Sequence, residues 1–542
     1  MLEQQLEKLL KEEADVIALP QFETGTEGFA NNTTCKVSAK SRVAIKKLLD
    51  FANSVSQDPS LNFTIYPVST GNNWGYGSSL PSTIAGRIVL LDLAQLNQVT
   101  YFDAENGVVT IQPGVTQQQL YEFLQAENAD FMVPVTGAGP NCSVLANALE
   151  RGYGITPIAD HFTAVTAING YLPSGEFYTS SLDAMYRAGE EQIDDICAVD
   201  KTFKWKHGPY LDGLFTQSGN MIVTEITIVL ARPKSGFDSF YMRFYDRDSF
   251  DSAYSVVKDV FKSLDGLVGS INLMDKRRVV SMVCENPNGA GSHQVMTDNQ
   301  VETLAKQNDV PEWTIVGTLY GTPRVTRAAR KDIRKIARKK ADQLLFSSSP
   351  LIRIGKCVTA LFNWSFLDGP RLQLEKLSAG IDIMKGKPNN IALPLAYCRN
   401  PRVNPHDEKE LNPAKDGCGL LWYAPLVPAN PKHMARFIDM VRDIAPRFNI
   451  EPMITFTNLS GYSTDSTIPI VFDLENPQAV SDAHACLETL VSEGIKKGFI
   501  PYRLNIQQQQ QLDPKATFWK TAKAIATVLD KNQIVSPNRY NV

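Results

Sequence analysis

The sequence predicts an α+β protein with more than one domain, for three reasons. The chain has 542 residues, enough for two to four domains that each bury a full hydrophobic core. Short runs rich in β-branched and aromatic residues alternate with stretches of helical spacing. With 43% hydrophobic and 21% charged residues, the composition is typical of globular proteins and excludes disordered, collagen-like and coiled-coil chains.

Helices and short strands alternate in the first 233 residues. Apolar spacing predicts helices over residues 2–14, 39–55, 117–125 and 144–150, and in the third of these Leu120 and Leu124 share one face. Runs of β-forming residues predict strands over residues 64–68, 88–93, 108–111 and 221–230. We expect these elements to form one mixed α+β domain over residues 1–233.

The pattern changes after Pro233. Residues 240–244 alternate like a half-exposed strand, residues 250–264 have helical spacing, and strand–helix alternation recurs over residues 420–450. We therefore place a second domain at residues 234–500. The remaining segment, residues 501–542, contains a predicted helix at 516–529, and we expect it to pack back on the first domain.

Charge and cysteine usage exclude several classes of function. The formal net charge is −4, so no strongly basic surface indicates a nucleic-acid or membrane partner. The N-terminal residues are acidic and amphipathic, without the pattern of a secretory signal. The eight cysteines form no C-x-x-C pair and the six histidines share no ligand spacing. We expect a cytoplasmic protein with reduced thiols and no metal site.

A Gly- and Asn-rich turn, Pro67-Val68-Ser69-Thr70-Gly71-Asn72-Asn73-Trp74-Gly75-Tyr76-Gly77, follows the predicted strand at 64–68. Glycine and asparagine tolerate positive φ, so successive backbone N–H groups can form a nest for an anion such as a pyrophosphate. The turn matches neither the G-x-G-x-x-G fingerprint nor the phosphate loop that ends in Gly-Lys-Ser/Thr. The alternative interpretation is a Gly-rich surface loop.

A second Gly-rich segment, residues 135–143 (VTGAGPNCS), opens the predicted helix at 144–150, whose first N–H groups favour an anion. A turn rich in Gly, Tyr and Pro follows at residues 151–161 (RGYGITPIADH). Two such loops within one predicted domain favour an extended cofactor that lies along the backbone.

Several segments together resemble a known family. They are the turn at 67–77, residues 147–152 (NALERG) with Thr156-Pro157 and Asp160-His161, residues 208–218 (GPYLDGLFTQS) continued by 220–225, Tyr502-Arg503, and residues 534–540. In this order, over nearly the whole chain, they are similar to the vanillyl-alcohol oxidase/p-cresol methylhydroxylase family of FAD enzymes.

The resemblance implies a two-domain flavoenzyme. A p-cresol methylhydroxylase-type FAD-binding domain would combine residues 1–233 with the C-terminal segment, and the second domain would be an α+β cap over the substrate. In this family flavin N5 accepts a hydride from a substrate carbon. The residues that the resemblance assigns to FAD binding are Pro67, Ser69, Thr70, Gly71, Asn72, Asn73, Trp74, Gly75, Gly137, Ala138, Gly139, Ser143, Asn147, Gly152, Gly154, Ile155, Asp160, His161, Ile222, Val223 and Arg539.

The resemblance also implies three catalytic residues. Family members that oxidise para-substituted phenols hold the phenolate oxygen with a tyrosine in the Gly-Tyr-Gly turn and a Tyr-Arg pair near the C-terminus, which here are Tyr76, Tyr502 and Arg503. Two hydroxyl donors and a guanidinium lower the pKa of a phenol, and the phenolate then pushes electrons toward its para carbon. The alternative interpretation of Tyr502-Arg503 is a structural pair that satisfies cap-domain carbonyl groups.

The sequence departs from the family pattern at two positions. Several relatives carry an acidic residue near flavin N5, where this chain has Val135, or Thr136 if the alignment shifts. The position of a flavin-linking histidine falls at Gly419 or Leu420, and the nearest candidate for a linking tyrosine is Tyr397. We therefore predict FAD that is not covalently bound.

Other interpretations stay open. A non-phenolic alcohol, a hydroxy acid or a biosynthetic intermediate is the alternative substrate, and a non-catalytic flavin-binding subunit is the alternative class. The electron acceptor would be O2 or a redox protein, and a homodimer is an option. We expect His161 to be structural rather than a proton carrier. The basic stretch at 326–340 is interpreted as a solvated helix with Ile333 and Ile336 turned inward, with docking of an acidic partner or nucleic acid as the alternative.

Overall fold

The computed structural model describes residues 2–18, 25–29, 31–72, 74–81, 84–180, 182, 199–347, 368–405 and 410–541. Three β-sheets organise this part of the chain. No helix within it is both long enough and apolar enough to cross a lipid bilayer.

The first sheet has four strands in the order β1-β2-β4-β3, with β2, β4 and β3 parallel and β1 antiparallel to β2. The elements are α1 (Leu2–Leu10), β1 (Ala14–Ala18), β2 (Cys35–Ala39), α2 (Arg42–Ser54), β3 (Thr64–Val68) and β4 (Ile88–Asp92). Helices α1 and α2 bury an apolar face in the core of this sheet. The predicted strands at 64–68 and 88–93 are therefore confirmed, the second ending one residue early.

The second sheet is antiparallel, with five strands in the order β5-β6-β9-β7-β8. Its elements are β5 (Val99–Asp103), β6 (Val108–Ile111), α3 (Gln117–Ala126), α4 (Val144–Leu149), β7 (Val165–Tyr171), β8 (Phe177–Thr179) and β9 (Ile222–Val229). A capping box between Thr116 and Gln119 begins α3. Leu120 and Leu124 of α3 are buried together in the core, which confirms the predicted helix face.

The third sheet has nine strands in the order β13-β10-β12-β11-β16-β17-β15-β18, with β14 also paired to β17. The strands are β10 (Gly236–Phe244), β11 (Ile271–Asp275), β12 (Trp313–Gly321), β13 (Gln343–Ser347), β14 (Cys418–Tyr423), β15 (Pro425–Pro428), β16 (Thr455–Asn458), β17 (Ser463–Asp473) and β18 (Ile500–Pro501). The helices are α5 (Phe250–Leu264), α6 (Lys276–Val283), α7 (Asp298–Gln307), α8 (Pro323–Ala337), α9 (Asp368–Met384), α10 (Pro431–Ile444) and α11 (Pro477–Lys496).

The basic stretch forms most of helix α8. Ile333 is fully buried and Ile336 packs against the same core, so the inward orientation predicted for the two isoleucines is confirmed. The predicted helix at 250–264 coincides with α5.

The C-terminal segment contains α12 (Thr517–Leu529) and then returns to the first sheet. The Ile65 N–H donates to the Ile534 carbonyl at 2.6 Å, and the Ser536 N–H donates to the Ile65 carbonyl at 2.9 Å. The domain boundaries at 233 and 500 stay a prediction.

Two predicted helices differ from the observed ones by more than one residue at an end. Helix α1 ends at Leu10 because Lys11 has a φ of +46°, and a short 3-10 turn leads into β1. Ala39 belongs to β2 rather than to a helix, and α2 begins after Ser41, whose hydroxyl accepts from the Ala44 N–H at 3.3 Å.

Candidate active site

A cavity of about 1800 Å³ lies where the three sheets approach one another. Its wall includes both Gly-rich segments and one face of the nine-stranded sheet. Most of the cofactor-binding residues predicted from the sequence line it: Pro67, Ser69, Thr70, Gly71, Asn72, Trp74, Gly137, Ala138, Ser143, Asn147, Gly152, Gly154, Ile155, Val223 and Arg539. Gly75, Gly139, Asp160, His161 and Ile222 are not in its wall, and Asn73 lies outside the described residues.

The first Gly-rich turn has the properties of an anion nest. Gly71 has a φ of +71°, and a Cβ atom at this position would meet nothing within 4 Å. Among the described residues, the N–H groups of Ser69, Thr70 and Gly71 donate to no protein acceptor. Unsatisfied donors on an open, glycine-containing turn fit the diphosphate of FAD.

Hydrogen bonds join the two Gly-rich segments into one surface. The Trp74 indole N–H donates to the Ala138 carbonyl at 2.7 Å, and the Asn72 side-chain amide donates to the Asn141 carbonyl at 2.9 Å. Ser143 caps helix α4, because its hydroxyl accepts from the Ala146 N–H at 3.1 Å. The two segments are thus placed to contact one extended ligand.

Residues behind this surface fix its shape. His161 is buried against the side chain of Asn147, and burial lowers its pKa to about 4. A side chain at Gly154 would collide with the His161 ring. Gly139 has a φ of +94°, and a side chain there would likewise collide with Leu393.

The three residues predicted to be catalytic lie together in the cavity wall. The hydroxyl groups of Tyr76 and Tyr502 are 3.5 Å apart. The guanidinium carbon of Arg503 lies 4.5 Å from the centre of the Tyr76 ring and 5.6 Å from that of Tyr502. Arg503 donates from Nε and Nη2 to the carbonyl oxygen of Glu150, at 3.1 and 2.8 Å. That contact is the kind expected for a structural role, and it also fixes the guanidinium beside the two rings.

The electrostatics keep this group in the donor form. Burial raises the pKa of both Tyr76 and Tyr502, although the nearby Arg503 charge acts in the opposite direction. Burial acts to lower the pKa of Arg503, but the neighbouring tyrosines and Glu150 raise it overall. Two neutral hydroxyl groups and one cation therefore face the cavity at neutral pH.

Glu27 is a residue that the sequence analysis missed. It is 1% exposed, its carboxyl group accepts from the Gly77 N–H at 3.0 Å, and burial raises its pKa to about 7. The neighbouring Thr26 hydroxyl accepts from the Gly75 N–H at 2.8 Å. These contacts hold the turn that carries Tyr76. No local pattern around residue 27 signals this role.

Asp465 on β17 is a second residue missed from the sequence. It lines the cavity, is 4% exposed, and its Oδ1 atom has no hydrogen-bond partner among the described residues. Burial raises its pKa to about 7, and the positive charge of Arg503 acts against this rise. Strand pairing places it in one row with Thr457 and Asn272, both of which also line the cavity.

Sequence comparison decides the family. A model described as "FAD binding domain" matches residues 35–180. The chain is 30% identical to 1'-carboxy-chondrochloren decarboxylase of Chondromyces crocatus over 485 residues, which cover 88% of this chain and 86% of that protein. It is 24% identical to the flavoprotein subunit of 4-cresol dehydrogenase (hydroxylating) of Pseudomonas putida, covering 88% and 83%. The chain belongs to the vanillyl-alcohol oxidase/p-cresol methylhydroxylase family.

Solved structures show the same fold. The chain superposes on p-cresol methylhydroxylase with a TM-score of 0.81 at 20% identity, covering 100% of this chain and 96% of that one. For 4-ethylphenol oxidase of Gulosibacter chungangensis the TM-score is 0.84 at 18% identity, with coverage of 100% and 96%. As a member of the vanillyl-alcohol oxidase/p-cresol methylhydroxylase family, this protein is an FAD-dependent oxidoreductase, and FAD is its cofactor.

The two departures from the family pattern are both in the cavity wall. Val135 is fully buried there, and the Thr136 hydroxyl accepts from the Gln117 side-chain amide at 2.8 Å, so neither position supplies a carboxyl group. Leu420 and Tyr397 also line the cavity, and the Tyr397 hydroxyl donates to Asp416 at 2.5 Å.

Proposed function

We propose that this enzyme oxidises para-substituted phenols or the corresponding benzylic alcohols, bound as phenolates by Tyr76, Tyr502 and Arg503. The observation that carries the proposal is the convergence of two neutral hydroxyl donors, 3.5 Å apart, and a buried guanidinium in one cavity wall. Hydrogen bonds to an anion from charged or hydroxyl donors are strong in a buried site, so this group favours a phenolate over a phenol.

The residues promote the reaction by holding that charge. A phenolate pushes electrons toward its para substituent, which favours departure of a hydride from the benzylic carbon and leaves a quinone methide. When bound, FAD supplies the oxidant that takes up this hydride. The Tyr76 ring stacks on Trp422 with centroids 6.3 Å apart, which restricts movement of the hydroxyl donor.

FAD is proposed to lie along the two joined Gly-rich segments, within an FAD-binding domain formed by residues 1–233 and 501–542 and beneath a cap of residues 234–500. The pyrophosphate would contact the turn at residues 69–72. The N–H groups of Ser69, Thr70 and Gly71, which donate to no acceptor in the described part of the chain, support this placement. We propose non-covalent FAD, because the Tyr397 hydroxyl is occupied by Asp416 and no histidine stands at Leu420. O2 or a redox protein would accept the electrons.

A second fate of the quinone methide is loss of CO2. The motivating observation is the buried Val135, which offers no base for hydration, together with the similarity to 1'-carboxy-chondrochloren decarboxylase. If the carbon next to the benzylic carbon carries a carboxylate, breaking the bond to CO2 supplies the electrons for a new C=C bond and restores the phenolate. With 3-(4-hydroxyphenyl)propionate this route gives 4-vinylphenol and CO2, whereas hydration retains the acid.

The test is anaerobic reduction of the FAD-loaded protein, followed by its visible absorption. Addition of 4-ethylphenol or 4-hydroxybenzyl alcohol should bleach the flavin, whereas 4-ethylanisole, which cannot form a phenolate, should not. Bleaching by the anisole at the same rate, or by simple aliphatic alcohols alone, would contradict the proposal.

Variants connect the reaction to the three residues. Tyr76→Phe, Tyr502→Phe and Arg503→Gln should each slow flavin reduction by 4-ethylphenol on the order of 10- to 100-fold, because each removes a hydrogen bond to an anion. Tyr241→Phe is the matched control, since Tyr241 lines the same cavity on β10. Equal rates in all four variants would exclude the assigned roles.

A further inference from the structure

Arg278 differs from every other arginine in the described part of the cavity wall. Arg399, Arg402, Arg503 and Arg539 each donate to a protein acceptor, respectively Gln294, Asp473, Glu150 and Tyr66. The guanidinium of Arg278 has no hydrogen-bond or ion-pair partner among the described residues, and its Nη1 atom is fully buried. An arginine carries five N–H donors, and leaving those on the buried Nη1 atom unsatisfied is costly.

Asp275 is the acidic neighbour whose charge acts on Arg278, but it makes no hydrogen bond to the guanidinium among the described residues. The Oδ1 atom of Asp275 accepts from the backbone N–H groups of Arg278 and Ile454, at 2.9 and 3.0 Å, and its Oδ2 atom lies 3.6 Å from Arg442. Burial raises the pKa of the nearby Cys398 thiol, which therefore stays neutral. Burial also acts to lower the pKa of Arg278. Asp275 therefore acts on Arg278 only at a distance, and no acceptor in the described part of the chain contacts the guanidinium.

Arg278 shares the cavity with the phenolate site but lies toward another part of it. Strand β11 presents Asn272 and Met274 to the cavity, and Arg278 follows in the first turn of α6. Asn272 is in the cross-strand row that leads through Thr457 to Asp465, next to Tyr76 and Arg503. Successive residues on one face of a strand are about 7 Å apart, so a ligand that reaches both sites is longer than a simple alkylphenol.

We propose that Arg278 binds a carboxylate on the para side chain of the substrate, so that the enzyme binds acidic para-substituted phenols more tightly than neutral ones. This inference rests on the proposed function and names its substrate class. Planar, bidentate recognition of a carboxylate is the interaction for which a guanidinium is best suited. The proposal concerns binding of the carboxylate, whether or not CO2 is lost later.

Binding can be measured without turnover. The phenols 4-hydroxycinnamate, 4-hydroxybenzoylglycine and 4-hydroxybenzoyl-4-aminobutyrate have no saturated benzylic carbon that could lose a hydride. Each is compared with its primary amide by calorimetry on the FAD-loaded protein. At the chain length that reaches Arg278, the acid should bind more tightly than the amide. Arg278→Gln should weaken that acid on the order of 10- to 100-fold and leave the amide unchanged. The affinity of Arg278→Lys for that acid should lie between those of the wild type and Arg278→Gln. Lysine keeps the positive charge but lacks the paired N–H donors of a guanidinium.

Arg402→Gln is the matched control, because Arg402 lines the same cavity but is paired with Asp473 at 2.8 Å. Equal loss of acid and amide binding in Arg278→Gln would mean that Arg278 maintains the shape of the cavity or binds FAD, and would overturn the proposal. Unchanged binding of all three acids, or no binding by any of them, would overturn it as well. Flavin bleaching by 4-ethylphenol, which has no acid group, separately reports whether the proposed function holds.

Discussion

The carboxyl group of Asp465 lies within the electrostatic field of the residues proposed to hold the phenolate. It is 4% exposed, and Arg503 is the cation that lowers its pKa against the effect of burial. Tyr76, Tyr502 and Tyr153 are the other titratable groups that feel its charge. One buried guanidinium cannot balance two anions, so a bound phenolate and an ionised Asp465 exclude each other.

This competition predicts where the proton of the phenol goes. At pH 8 the free enzyme carries an ionised Asp465, because its pKa is about 7, whereas a phenol in water is protonated. When a phenolate binds, Asp465 should take up the proton, and the wild type should release almost none to the buffer. Asp465→Asn should release close to one proton per ligand. Calorimetry with the non-oxidisable 4-chlorophenol, in two buffers of different ionisation enthalpy, measures the difference.

The control for this prediction is Thr457→Val, which changes the neighbour of Asp465 in the same strand row without removing a titratable group. Equal proton release by the wild type and Asp465→Asn would show that Asp465 does not exchange a proton with the ligand.

Some residues of the site could be predicted from the sequence and others could not. Tyr76, Tyr502 and Arg503 were assigned through segments that resemble the family, and the structure brings them together. Asp465 and Arg278 lie in segments without a recognisable motif. Their significance arises only from burial and from absent partners, which depend on neighbours distant in sequence.

Among the elements, the turn that carries Tyr76 depends on a glycine with no room for a side chain. Gly75 has a φ of +77°, and a Cβ atom there would lie 2.6 Å from Cδ1 of Trp422. Gly86 has a φ of +89° with nothing within 4 Å of the same position. A residue with a Cβ atom would be strained at either position because of the positive φ, and the two positions differ in steric contact.

We expect Gly75→Ala to destabilise the protein more than Gly86→Ala. The second variant should cost about 1–2 kcal/mol from backbone strain alone. Gly75→Ala should add a further ~1–3 kcal/mol from overpacking against Trp422, and should weaken phenol binding because Tyr76 is displaced. Urea unfolding and calorimetry with 4-chlorophenol measure both effects. Equal losses in the two variants would show that Trp422 moves aside freely.

Local elements were predictable because their signals are local. The strand at 108–111 and the helix at 250–264 were predicted with their observed bounds, and the capped helix α3 nearly so. The pairing of β11 with β16, which brings Asn272 beside Thr457, was not predictable. Antiparallel pairing between strands far apart in sequence depends on tertiary packing, about which a single-strand pattern carries no information.

Across the whole molecule, the C-terminal segment connects the first sheet to the proposed phenolate site. Arg539 donates to the Tyr66 hydroxyl at 3.0 Å and to the carboxylate of Glu150. The backbone carbonyl of the same Glu150 accepts from Arg503. The Tyr540 hydroxyl accepts from the Leu504 N–H at 2.8 Å. The last residues of the chain therefore hold the loop that presents Tyr502 and Arg503.

The pair Glu150–Arg539 should behave as one coupled unit. The two side chains are 18% and 10% exposed, so removing either partner leaves a buried charge without compensation. Glu150→Gln and Arg539→Gln should each cost about 3–5 kcal/mol of the free energy of unfolding, and the double variant should cost far less than their sum. Urea denaturation at saturating FAD gives the coupling energy.

The same double-variant cycle separates stability from positioning. If the ion pair mainly orients the Glu150 backbone, Arg539→Gln should also lower the affinity for 4-chlorophenol. The double variant should recover much of the lost affinity, because two neutral amides can hydrogen-bond to each other without leaving an unpaired charge. Lys40→Gln is the matched control, since Lys40 pairs with Asp15 at 2.6 Å on the exposed surface beside the first sheet, and its loss should change the free energy of unfolding much less. Additive losses of stability and affinity across the cycle would mean that the C-terminal segment and the loop that presents Tyr502 and Arg503 are held independently.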